Sequence, residues 1–540
     1  MSGDADFIIV GGGSAGCVLA NRLSASGRYR VALIEAGGSD RHPWTRIPIA
    51  YGKCFYHPQL NWKFVSAPVR GLGGRQVYCP RGRVLGGSSS INAMVFIRGA
   101  QADFDRWKAL GNPGWGFADV LPYFRRMEDN QAGENEWRAR GGPLHVTSTA
   151  GQVHPLCARF MAAAQAIGIP VNEDFNGESQ EGVGLYQITT RDGLRASSAA
   201  AFLRPAMRRA NLEVITHSQV TRIIVERGRA VGVEYRLGDA VRTIRTRGEV
   251  ILAAGAVGSP QILQLSGIGD PALLGSLGIE TVHAAPAVGA NLQDHLCIDH
   301  LYRLMVPSLN QILGPLWRRP LLGLEYLATR RGPLSLSVNQ AGGFVRARPE
   351  APEPNIQLYF SPLSYTRAIP GKRALMRPDP FPGLLLSASN THPHSRGHVR
   401  IRSADPFEAP EIQPNYLDDQ RDLDDLIEGA KLLRRLASQA PLADIIAEEL
   451  EPGSGCQTDE DMAADIRARA SSVFHLSGTC AMGPDASSAV VDARLRVHGI
   501  GGLRVVDASI FPTLISGNTN AAAMMIGEKG ADLILEDARM

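Results

Sequence analysis

The hydrophobic positions near the N-terminus form short, uninterrupted runs. Residues 7–10 are wholly apolar, and residues 31–34 form a second such run. Between them, residues 15–26 carry the small and apolar residues of a helix. A short apolar run without alternation is typical of a strand buried on both faces of a parallel sheet. The opening therefore predicts strand, turn, helix and strand, and a further run at 250–254 predicts another buried strand.

A different pattern occupies the later part of the chain, where apolar and polar positions alternate. Alternation with a period of two predicts strands that bury one face. The predicted strands are 342–345, 356–360, 384–389 and 398–402. A charge-rich helical stretch, 423–439, is expected to cover the outer face of this antiparallel sheet. The two patterns together predict an α/β protein with a second, α+β domain.

Composition and charge narrow the class of protein. Of 540 residues, 44% are hydrophobic and 20% are charged, which is typical of globular proteins. This length exceeds one compact core, so two or three domains are expected. The net charge, 56 − 53 = +3, comes from both signs spread along the chain, and we expect no nucleic-acid partner. We find no run of about 18 apolar residues, so no membrane-spanning helix is predicted.

The cysteines and the N-terminus indicate the compartment. Seven cysteines are odd in number and scattered, and they form no CxxC motif. No disulfide framework is evident, which favours a reducing compartment. The chain opens on the strand pattern at residues 7–10 and lacks the basic and apolar regions of a signal peptide. We therefore expect a cytoplasmic protein.

The turn after the first strand carries the pattern G-x-G-x-x-G. Gly11 allows a tight turn, Gly13 lets the backbone approach a pyrophosphate, and Gly16 lets the helix pack closely on the strand. The N-terminus of the helix offers N–H groups and a positive dipole end to phosphates. Glu35, at the end of the second strand, is placed to accept hydrogen bonds from ribose hydroxyls. The motif predicts a dinucleotide site and leaves NAD and FAD as alternatives.

Two more glycine-rich segments suggest close contact with a flat ligand. Residues 82–99 include an unbroken run of small residues at 86–90, which cannot fill a core. Residues 255–269 follow the predicted strand at 250–254, so a second turn between strand and helix also approaches the ligand.

These segments resemble a known family. Residues 82–105 and 255–269 are similar to the two signatures of the glucose–methanol–choline (GMC) flavin oxidoreductases, and the likeness extends over essentially the whole chain, including 474–480, 507–509 and 516–520. It looks closest to bacterial choline- or sorbose-dehydrogenase-like members. The resemblance implies FAD as the cofactor. It also implies the GMC fold, a Rossmann-like FAD-binding domain interleaved with an α+β substrate domain built on an antiparallel sheet.

The resemblance implies which positions contact FAD. For the adenosine and pyrophosphate end they are Gly11, Gly13, Ser14, Ala15, Gly16, Glu35, Ala36, Val220, Asp507 and Ala508, and Thr519 is also expected to contact FAD. For the isoalloxazine and its tail they are Val84, Gly87, Asn92, Ala93, Met94 and Val95. Some relatives attach FAD covalently through a histidine in the first signature, where this chain has Ile91. We therefore expect non-covalent FAD.

Two residues are candidates for the chemistry. Alcohol oxidation removes a hydride from carbon, which a flavin accepts, and a proton from oxygen, for which a neutral histidine is the best base near pH 7. His475 lies between apolar neighbours, which should keep it neutral. The resemblance places His475 at the flavin as the proton acceptor and Asn518 as its companion, which would orient the alcohol oxygen. Asn518 cannot take a proton, so His475 would act alone as the base.

The likeness divides the chain into interleaved parts. The FAD-binding domain is expected to comprise residues 1–155, 190–300 and 460–540. The substrate-binding domain is expected to comprise residues 156–189 and 301–459.

Several segments suggest chemistry that we do not expect. Residues 294–300 hold two aspartates and two histidines, but the overlapping residues 289–295 match a family segment without a metal role, so no metal site is predicted. His392, His394 and His398 lie around a turn and are interpreted as solvated. Cys480 is interpreted as a small buried residue.

Residues 316–332 mix apolar and basic side chains, a composition that also occurs in helices on membrane surfaces. Pro320 is expected to interrupt the helix, and the resemblance implies that a helix here is packed against the protein. We therefore expect no membrane contact.

The substrate is indicated by one position. Choline-oxidising relatives carry a glutamate before Ala-Gly-Gly-Phe, where this chain has Gln340. A neutral amide cannot pair with a quaternary ammonium, so we expect oxidation of a neutral primary alcohol, aromatic or polyol, to the aldehyde. The electron acceptor, O2 or a quinone-type molecule, and the oligomeric state stay open. The alternative is a non-redox lyase or decarboxylase on the same scaffold.

Overall fold

Two seven-stranded sheets, one partly parallel and one antiparallel, organise the molecule. The structure is a computed structural model, and it describes residues 4–348, 350–366 and 377–539. Each sheet has its own apolar core, because a sheet face that carries Val, Ile and Leu must be covered to leave water. This arrangement agrees with the predicted combination of a Rossmann-like sheet and an antiparallel sheet.

The first sheet contains the predicted N-terminal strands in parallel register. Ala5–Val10 pairs with Val31–Ile34 on one side and with the end of Ala240–Leu252 on the other, so their carboxyl ends lie at one edge. In sheet order the strands are Leu212–Ile215, Val31–Ile34, Ala5–Val10, Ala240–Leu252, Arg229–Leu237 and Ser218–Glu226, with Leu503–Val505 also paired to Ala240–Leu252.

One strand of this sheet is longer than its apolar run predicts. The run at 250–254 is only the end of Ala240–Leu252, whose first half pairs antiparallel with Arg229–Leu237. That first half is largely exposed; Val241, for example, is 62% exposed. An exposed ribbon has no need of a buried apolar run, so the hydrophobic pattern could not reveal it.

Helices cover the first sheet and part of the second. The predicted first helix is Ser14–Ser24, and it packs against the C-terminal helix Asn520–Asp537. The other helices of at least six residues are Gln101–Ala109, Phe117–Met127, Leu156–Ala166, Gly255–Leu265, Pro271–Ser276, Arg318–Thr329, Gln420–Ala437 and Asp459–Arg469. The shorter helices are Pro43–Arg46, Tyr51–Cys54, Arg204–Ala206, Leu309–Leu313 and Ala440–Ala443.

The second sheet is antiparallel, as predicted, and lies opposite the carboxyl edge of the first. In order its strands are Ile446–Glu451, Leu296–Leu304, Gly383–Asn390, Ile356–Ser361, Ala341–Val345 and Gly182–Leu185, with Ser471–Ser472 paired to Leu296–Leu304. The boundary expected at residue 300 falls inside Leu296–Leu304, which is buried at every position but Arg303 and so shows no alternation. Gln420–Ala437 covers the sheet and buries Leu426, Leu433 and Leu436, as expected for 423–439.

The prediction that 398–402 joins this sheet is wrong. His398–Arg400 pairs with Glu411–Gln413 in a separate two-stranded sheet. Alternation shows that a strand buries one face, but it does not show which sheet the strand joins. Here Val399 and Ile412 pack with Ala256 and Val257 of the helix Gly255–Leu265. The other two-stranded sheets pair Phe64–Val65 with Tyr78–Cys79, Glu128–Asn130 with Leu144–Val146, Thr190–Arg191 with Leu194–Arg195, Ile268–Gly269 with His283–Ala284, and Tyr365–Thr366 with Arg377–Pro378.

The helix Arg318–Thr329 differs from both expectations made for it. Pro320 does not interrupt it, because it lies in the first turn, where a backbone N–H has no partner inside the helix. The helix is also not packed as expected: of its twelve residues only Tyr326 is buried. In the part of the chain that the structure describes, we find no helix with the length and apolarity needed to cross a membrane.

Candidate active site

A large cavity lies between the carboxyl edge of the first sheet and one face of the second. Its volume is about 2980 Å³, including the part that is open to solvent. Val10 and Ile34 from the first sheet line one side, and Asp299, Tyr359 and Ser387 from the second sheet line the other. A site at the carboxyl ends of parallel strands is where open α/β sheets bind ligands.

Most of the predicted cofactor positions line this cavity. They are Gly11, Gly13, Ser14, Ala15, Glu35, Ala36, Gly87, Asn92, Ala93, Met94, Val95, Val220, Asp507, Ala508 and Thr519. Gly16 and Val84 do not line it. A Cβ on Gly16 would lie 1.9 Å from the Gly11 carbonyl oxygen, so Gly16 serves the packing of helix on turn. Val84 is fully buried beside Ile91 in a small apolar cluster.

The first glycines leave the space that a pyrophosphate needs. Gly11 has φ +104°, and a Cβ there would lie 2.6 Å from the carbonyl oxygen of Ala253. A Cβ on Gly13, which lines the cavity, would meet only that same oxygen, at 3.7 Å. Ser14 and Ala15 begin the helix at the cavity wall, and Gly13 offers no side chain to cap their N–H groups. This donor set fits the phosphates of a dinucleotide.

Glu35 holds the two turns of the motif together. One of its carboxylate oxygens accepts a hydrogen bond from Gly12 N at 2.8 Å, and the other accepts one from Gly37 N at 2.7 Å. Burial raises the pKa of Glu35 to about 7, while the two N–H donors and Arg83 act in the opposite direction. Each oxygen keeps a lone pair, so a ribose hydroxyl can still donate to Glu35.

The segment expected to carry the isoalloxazine is held by side chains. The Asn92 side-chain oxygen accepts hydrogen bonds from Arg195 Nη1 at 2.7 Å and from Met94 N at 3.0 Å. Gly87 has φ +53°, and a Cβ there would lie 2.7 Å from Gly13 Cα, so the two glycine-rich turns touch. Ile91 also lines the cavity, and its side chain has no group that can bond to a flavin.

The C-terminal part of the chain closes the same site. Asp507 accepts hydrogen bonds from Gly255 N at 2.8 Å and from Ser259 Oγ at 2.6 Å. It thereby fixes the start of the helix Gly255–Leu265 at the cavity. Ser14 Oγ donates to the Asn520 side-chain oxygen at 2.8 Å, which joins the first helix to the last.

His475 and Asn518 meet at the cavity wall. Asn518 Nδ2 lies 3.2 Å from His475 Nε2, and both residues line the cavity. The Asn518 side-chain oxygen faces Gln357 Nε2 at 3.4 Å, which turns the amide nitrogen of Asn518 toward the histidine. An alcohol at this point would meet a hydrogen-bond donor and a ring nitrogen together.

A second histidine sets the protonation of the first. His295 Nε2 lies 2.9 Å from the carbonyl oxygen of Thr391, which can only accept, so this nitrogen carries the proton. In a neutral ring His295 Nδ1 is then an acceptor, and His475 Nδ1, 2.8 Å away, must donate to it. His475 Nε2 consequently carries no proton, and it faces Asn518 and the cavity. The pair fixes the tautomer that a base requires.

Both rings are neutral near pH 7. Burial lowers the pKa of His295 to about 4. The pKa of His475 is lowered well below its usual value, first by burial and then by the proximity of His295 and Arg81. His475 is only 8% exposed.

Asp294 positions the loop that carries His475. It accepts a hydrogen bond from His475 N at 2.6 Å and others from Ser472 Oγ and Tyr416 Oη. Phe474, beside His475, has φ +72°, a strained conformation for a bulky residue, and Arg81 Nη1 donates to its carbonyl oxygen at 2.7 Å. These contacts aim the imidazole at the cavity.

Sequence reasoning missed Asp294 and His295 as parts of the site. Both lie in the segment 294–300, which was weighed only as a metal cluster. Among the described residues no group of three His, Cys, Asp or Glu side chains is arranged to hold a metal. The available signal in the sequence was that these two polar residues directly precede the buried strand Leu296–Leu304.

Other interpretations are corrected or supported by contacts. His392 is not a solvated loop residue, because its Nε2 lies 2.8 Å from Asp103 Oδ1 and 3.0 Å from Ser516 Oγ. His398 contacts Glu411 at 3.1 Å, whereas His394 is exposed. Cys480 is fully buried, and burial raises its pKa well above the usual value.

The prediction that Gln340 faces the substrate is wrong, because its side chain does not reach the cavity. Gln340 is 3% exposed, lies outside the cavity wall, and its side-chain oxygen accepts a hydrogen bond from His154 N at 2.7 Å. The neighbouring Asn339 reaches the cavity instead. The cavity wall includes Cys297, Asp299, Tyr359 and Ser387 from the second sheet and the aromatic side chains of Tyr51, Phe55, Tyr56, Tyr365 and Phe474.

Comparison with known proteins agrees with this geometry. Over 539 residues, 99% of this chain and 96% of the relative, the sequence is 42% identical to "Alcohol dehydrogenase [acceptor]" of Pseudomonas putida. It is 43% identical to mitochondrial choline dehydrogenase of Homo sapiens, over 98% of this chain and 89% of that one. The structure matches pyridoxine 4-oxidase of Mesorbium loti with a TM-score of 0.88 and 32% identity, over 98% and 99% of the two chains.

Family profiles cover most of the sequence. Residues 5–297 match the N-terminal profile described as GMC oxidoreductase, and residues 393–527 match the C-terminal one. Proteins of this family bind FAD, and the glycine cradle and donor set of the cavity fit that cofactor. The chain belongs to the GMC oxidoreductases, FAD-dependent enzymes that oxidise CH–OH groups.

Proposed function

We propose that this enzyme oxidises a neutral primary alcohol, aromatic or polyol, to the aldehyde, with His475 as the base and Asn518 as the group that orients the alcohol oxygen. The supporting observation is the unprotonated His475 Nε2, which faces the cavity 3.2 Å from the Asn518 amide nitrogen. The hydrogen-bonded chain from Thr391 O through His295 to His475 keeps that nitrogen unprotonated.

The two side chains divide the work on the alcohol. Asn518 Nδ2 donates to the hydroxyl oxygen, and the hydroxyl donates its proton to His475 Nε2. As the proton arrives, His475 Nδ1–H stays donated to His295, which holds the ring in its orientation. Bound FAD supplies the hydride acceptor for the carbinol carbon. Burial of His475 and Leu476 excludes water from the exchange.

The charges of the cavity support a neutral substrate. Arg81 lies close enough to His475 for its charge to contribute to the lowered pKa of that ring, whereas Arg469, which also lines the cavity, pairs with Asp465 and Glu451. The positive charge of Arg81 disfavours a quaternary ammonium beside His475. The argument from Gln340 is thereby replaced by one from residues that reach the cavity.

The polarity of the wall supports the substrate class. Polar side chains on the second sheet can accept and donate to the hydroxyls of a polyol, and the aromatic rings of the wall can stack on an aromatic alcohol. The solved relative named for pyridoxine, an aromatic alcohol, is consistent with the second of these.

Ile91 supports a dissociable cofactor. It occupies the position at which some relatives attach FAD covalently, and it faces the cavity without a nucleophilic atom. Acid precipitation is expected to release all the flavin into the supernatant. Flavin that stays with the precipitated chain would contradict this.

The cysteines support a cytoplasmic enzyme. All seven are buried, and the described part of the chain contains no disulfide. A protein without disulfides is suited to a reducing compartment.

The comparisons give no support to a lyase or decarboxylase, since the relatives are named as dehydrogenases and an oxidase. The deciding experiment is an anaerobic panel of primary alcohols that includes choline, a benzylic alcohol and a polyol. Loss of flavin absorbance with the neutral alcohols and not with choline supports the proposal. No loss with any alcohol, or faster loss with choline, contradicts it.

The same experiment identifies the electron acceptor. The reduced enzyme is mixed in a stopped-flow instrument with O2 or with a soluble quinone, and the return of the oxidised flavin spectrum is timed. Rapid return with O2 shows an oxidase, and return only with the quinone shows a dehydrogenase.

A further inference from the structure

An exposed apolar face lies on the helix Arg318–Thr329 and the residues just before it. Five large side chains project into solvent there. Their exposed fractions are 73% for Leu316, 66% for Trp317, 58% for Leu321, 64% for Leu324 and 64% for Leu327. Steps of three and four residues from 317 to 327 place them on one side of the helix. Single exposed apolar residues are ordinary, but a contiguous group marks an interaction surface.

Basic residues frame this face at both ends. Arg318 and Arg319 precede Leu321, Leu324 and Leu327, and Arg330 and Arg331 follow them. Within the described ranges none of these four arginines forms an ion pair. Arg318 donates from Nη1 to Gln311 O at 3.1 Å and lies over the Trp317 ring, and Arg330 lies over the Tyr326 ring. We call the five apolar residues and the four arginines together the 316–331 surface.

The charge of the 316–331 surface is large for this protein. Residues 316–332 contain four arginines and one glutamate, a charge of +3. The whole chain has 56 basic and 53 acidic residues, so the rest of the chain, with 52 of each, carries no net charge. The entire positive excess is concentrated beside the exposed leucines.

We propose that the 316–331 surface docks the enzyme on an anionic lipid bilayer, with the helix lying in the membrane interface. Leucine and tryptophan side chains enter the boundary between headgroups and acyl chains, and the arginines pair with anionic headgroups. A second copy of this chain is a poorer occupant, because a two-fold interface would bring +3 against +3.

The position of the helix gives docking a consequence for the cavity. Tyr326 Oη donates to Gly193 O at 2.7 Å, which fixes the helix to the body of the protein. Leu336 and Val338, which follow the helix, pack with Tyr51 and Met94, and these two line the cavity. Docking therefore places the bilayer on the side of the protein where the chain that follows the helix packs against residues of the cavity wall.

Vesicle sedimentation tests the proposal on the FAD-loaded enzyme. Sucrose-loaded vesicles of phosphatidylglycerol and phosphatidylcholine in equal molar amounts are compared with vesicles of phosphatidylcholine alone. The enzyme is expected to bind the anionic vesicles at low salt and to be released by salt, as screening predicts. Sedimentation measures binding without turnover, so its result does not depend on whether the proposed reaction is correct.

Variants assign the binding to this surface. The triple change L321S/L324S/L327S is expected to weaken binding on the order of 100-fold, since three apolar side chains no longer leave water. R319Q/R331Q is expected to weaken it roughly 20- to 30-fold, about fivefold for each arginine. The matched control V241S/V282S removes two exposed apolar side chains elsewhere, 62% and 50% exposed, and should bind as the wild type does.

The variants must keep their FAD and their thermal midpoint, which side chains this exposed do not control. Wild-type enzyme that ignores anionic vesicles overturns the proposal. So does a leucine variant that binds as tightly as the wild type. A wild-type dimer that the leucine changes convert to a monomer, without vesicle binding, would show instead that the 316–331 surface faces a second copy.

Discussion

His475 obtains its protonation state from neighbours that are far from it in sequence. Thr391 and His295 fix its tautomer, and Asp294 holds its backbone. Burial and the proximity of Arg81 keep the ring neutral. The base is therefore the product of an assembled network, and each member makes a different kinetic contribution.

Removing the base should cost more than removing its companion. The change His475→Ala is expected to slow flavin reduction by alcohol roughly 10²–10⁴-fold, the usual contribution of a general base. Asn518→Ala keeps the base and loses one hydrogen bond to the alcohol oxygen, so about a 10-fold loss is expected. Anaerobic stopped-flow measures both rates. An Asn518 variant slower than the His475 variant would reverse the assigned roles.

His295 is a positioning residue, and its removal should have a distinct signature. His295→Leu leaves His475 Nδ1–H without its acceptor, so the wrong tautomer becomes accessible, and flavin reduction is expected to slow roughly 10- to 100-fold. Because His295 helps to lower the pKa of His475, the acid limb of the rate profile should move to higher pH. The rate and its pH profile are measured together by stopped-flow.

A matched variant separates this role from simple packing. His295→Gln returns an acceptor oxygen and should recover part of the rate. A leucine variant with an unchanged acid limb would show that His295 only fills space.

Single residues were predicted from the sequence where chemistry and motif coincide. His475 and Asn518 could be named because proton abstraction needs a histidine and the segments resemble a family. His295 could not, because nothing in its local sequence tells that its ring lies 2.8 Å from another ring 180 positions away. The prediction for Gln340 was wrong for the same reason. The sequence shows that the residue is a glutamine, but not that its side chain points to His154 N.

Elements with strong local patterns were predictable. The strands Ala5–Val10 and Val31–Ile34 and the helix Ser14–Ser24 follow directly from their apolar runs and glycines. The exposed half of Ala240–Leu252 and the fully buried Leu296–Leu304 carry no such period. Pairing partners, as for His398–Arg400, are set by tertiary contacts that alternation does not encode.

The turn at Gly87 should be essential for the cofactor. A methyl group there meets both the strain of φ +53° and the Gly13 backbone, 2.7 Å away. Gly87→Ala is therefore expected to reduce the FAD content of the purified protein at least about fivefold, because the two glycine-rich turns must separate. The ratio of flavin to protein absorbance reports the content.

Gly73 is the matched control for this prediction. It has a similar φ of +64°, but a Cβ on it would meet nothing within 4 Å. Gly73→Ala should cost about 1 kcal/mol of stability and leave FAD content unchanged. Equal losses of FAD in the two variants would mean that backbone strain, and not the contact between the turns, decides the effect.

The whole molecule is two sheets assembled around one cavity. Val10 and Glu35 reach it from the first sheet, Tyr359 from the second, and His475 and Asn518 from loops between the elements. Because both cores must form before these groups meet, the stability of each sheet bears on the site. The second sheet carries a group that makes this dependence measurable.

His300 lies buried in the second sheet, away from the cavity. It is 1% exposed, its Nε2 has no hydrogen-bond partner in the described part of the chain, and its Nδ1 lies 3.4 Å from Tyr302 Oη. Burial, with a smaller effect from the charges of Arg469 and Arg434, lowers its pKa to about 3. Folding therefore favours the neutral ring.

The sign of the pH effect follows from this lowered pKa. Below about pH 6.5 the unfolded chain binds a proton at His300, whereas the folded chain does not until about pH 3, so stability is lost as the pH falls through this window. Between pH 7.5 and 4.5 the loss from His300 is about 2–3 kcal/mol. Glu35, whose raised pKa acts in the opposite direction, is present in every variant and cancels in the comparison.

The change His300→Leu should therefore flatten the dependence of unfolding free energy on pH. Denaturant titrations at pH 7.5 and 4.5 should show that the wild type loses about 2–3 kcal/mol more than the variant. His394→Gln, which alters an exposed histidine, should keep the wild-type dependence. If the leucine variant loses as much stability on acidification as the wild type does, then His300 is protonated within the folded sheet, and the second core is more open to water than its burial indicates.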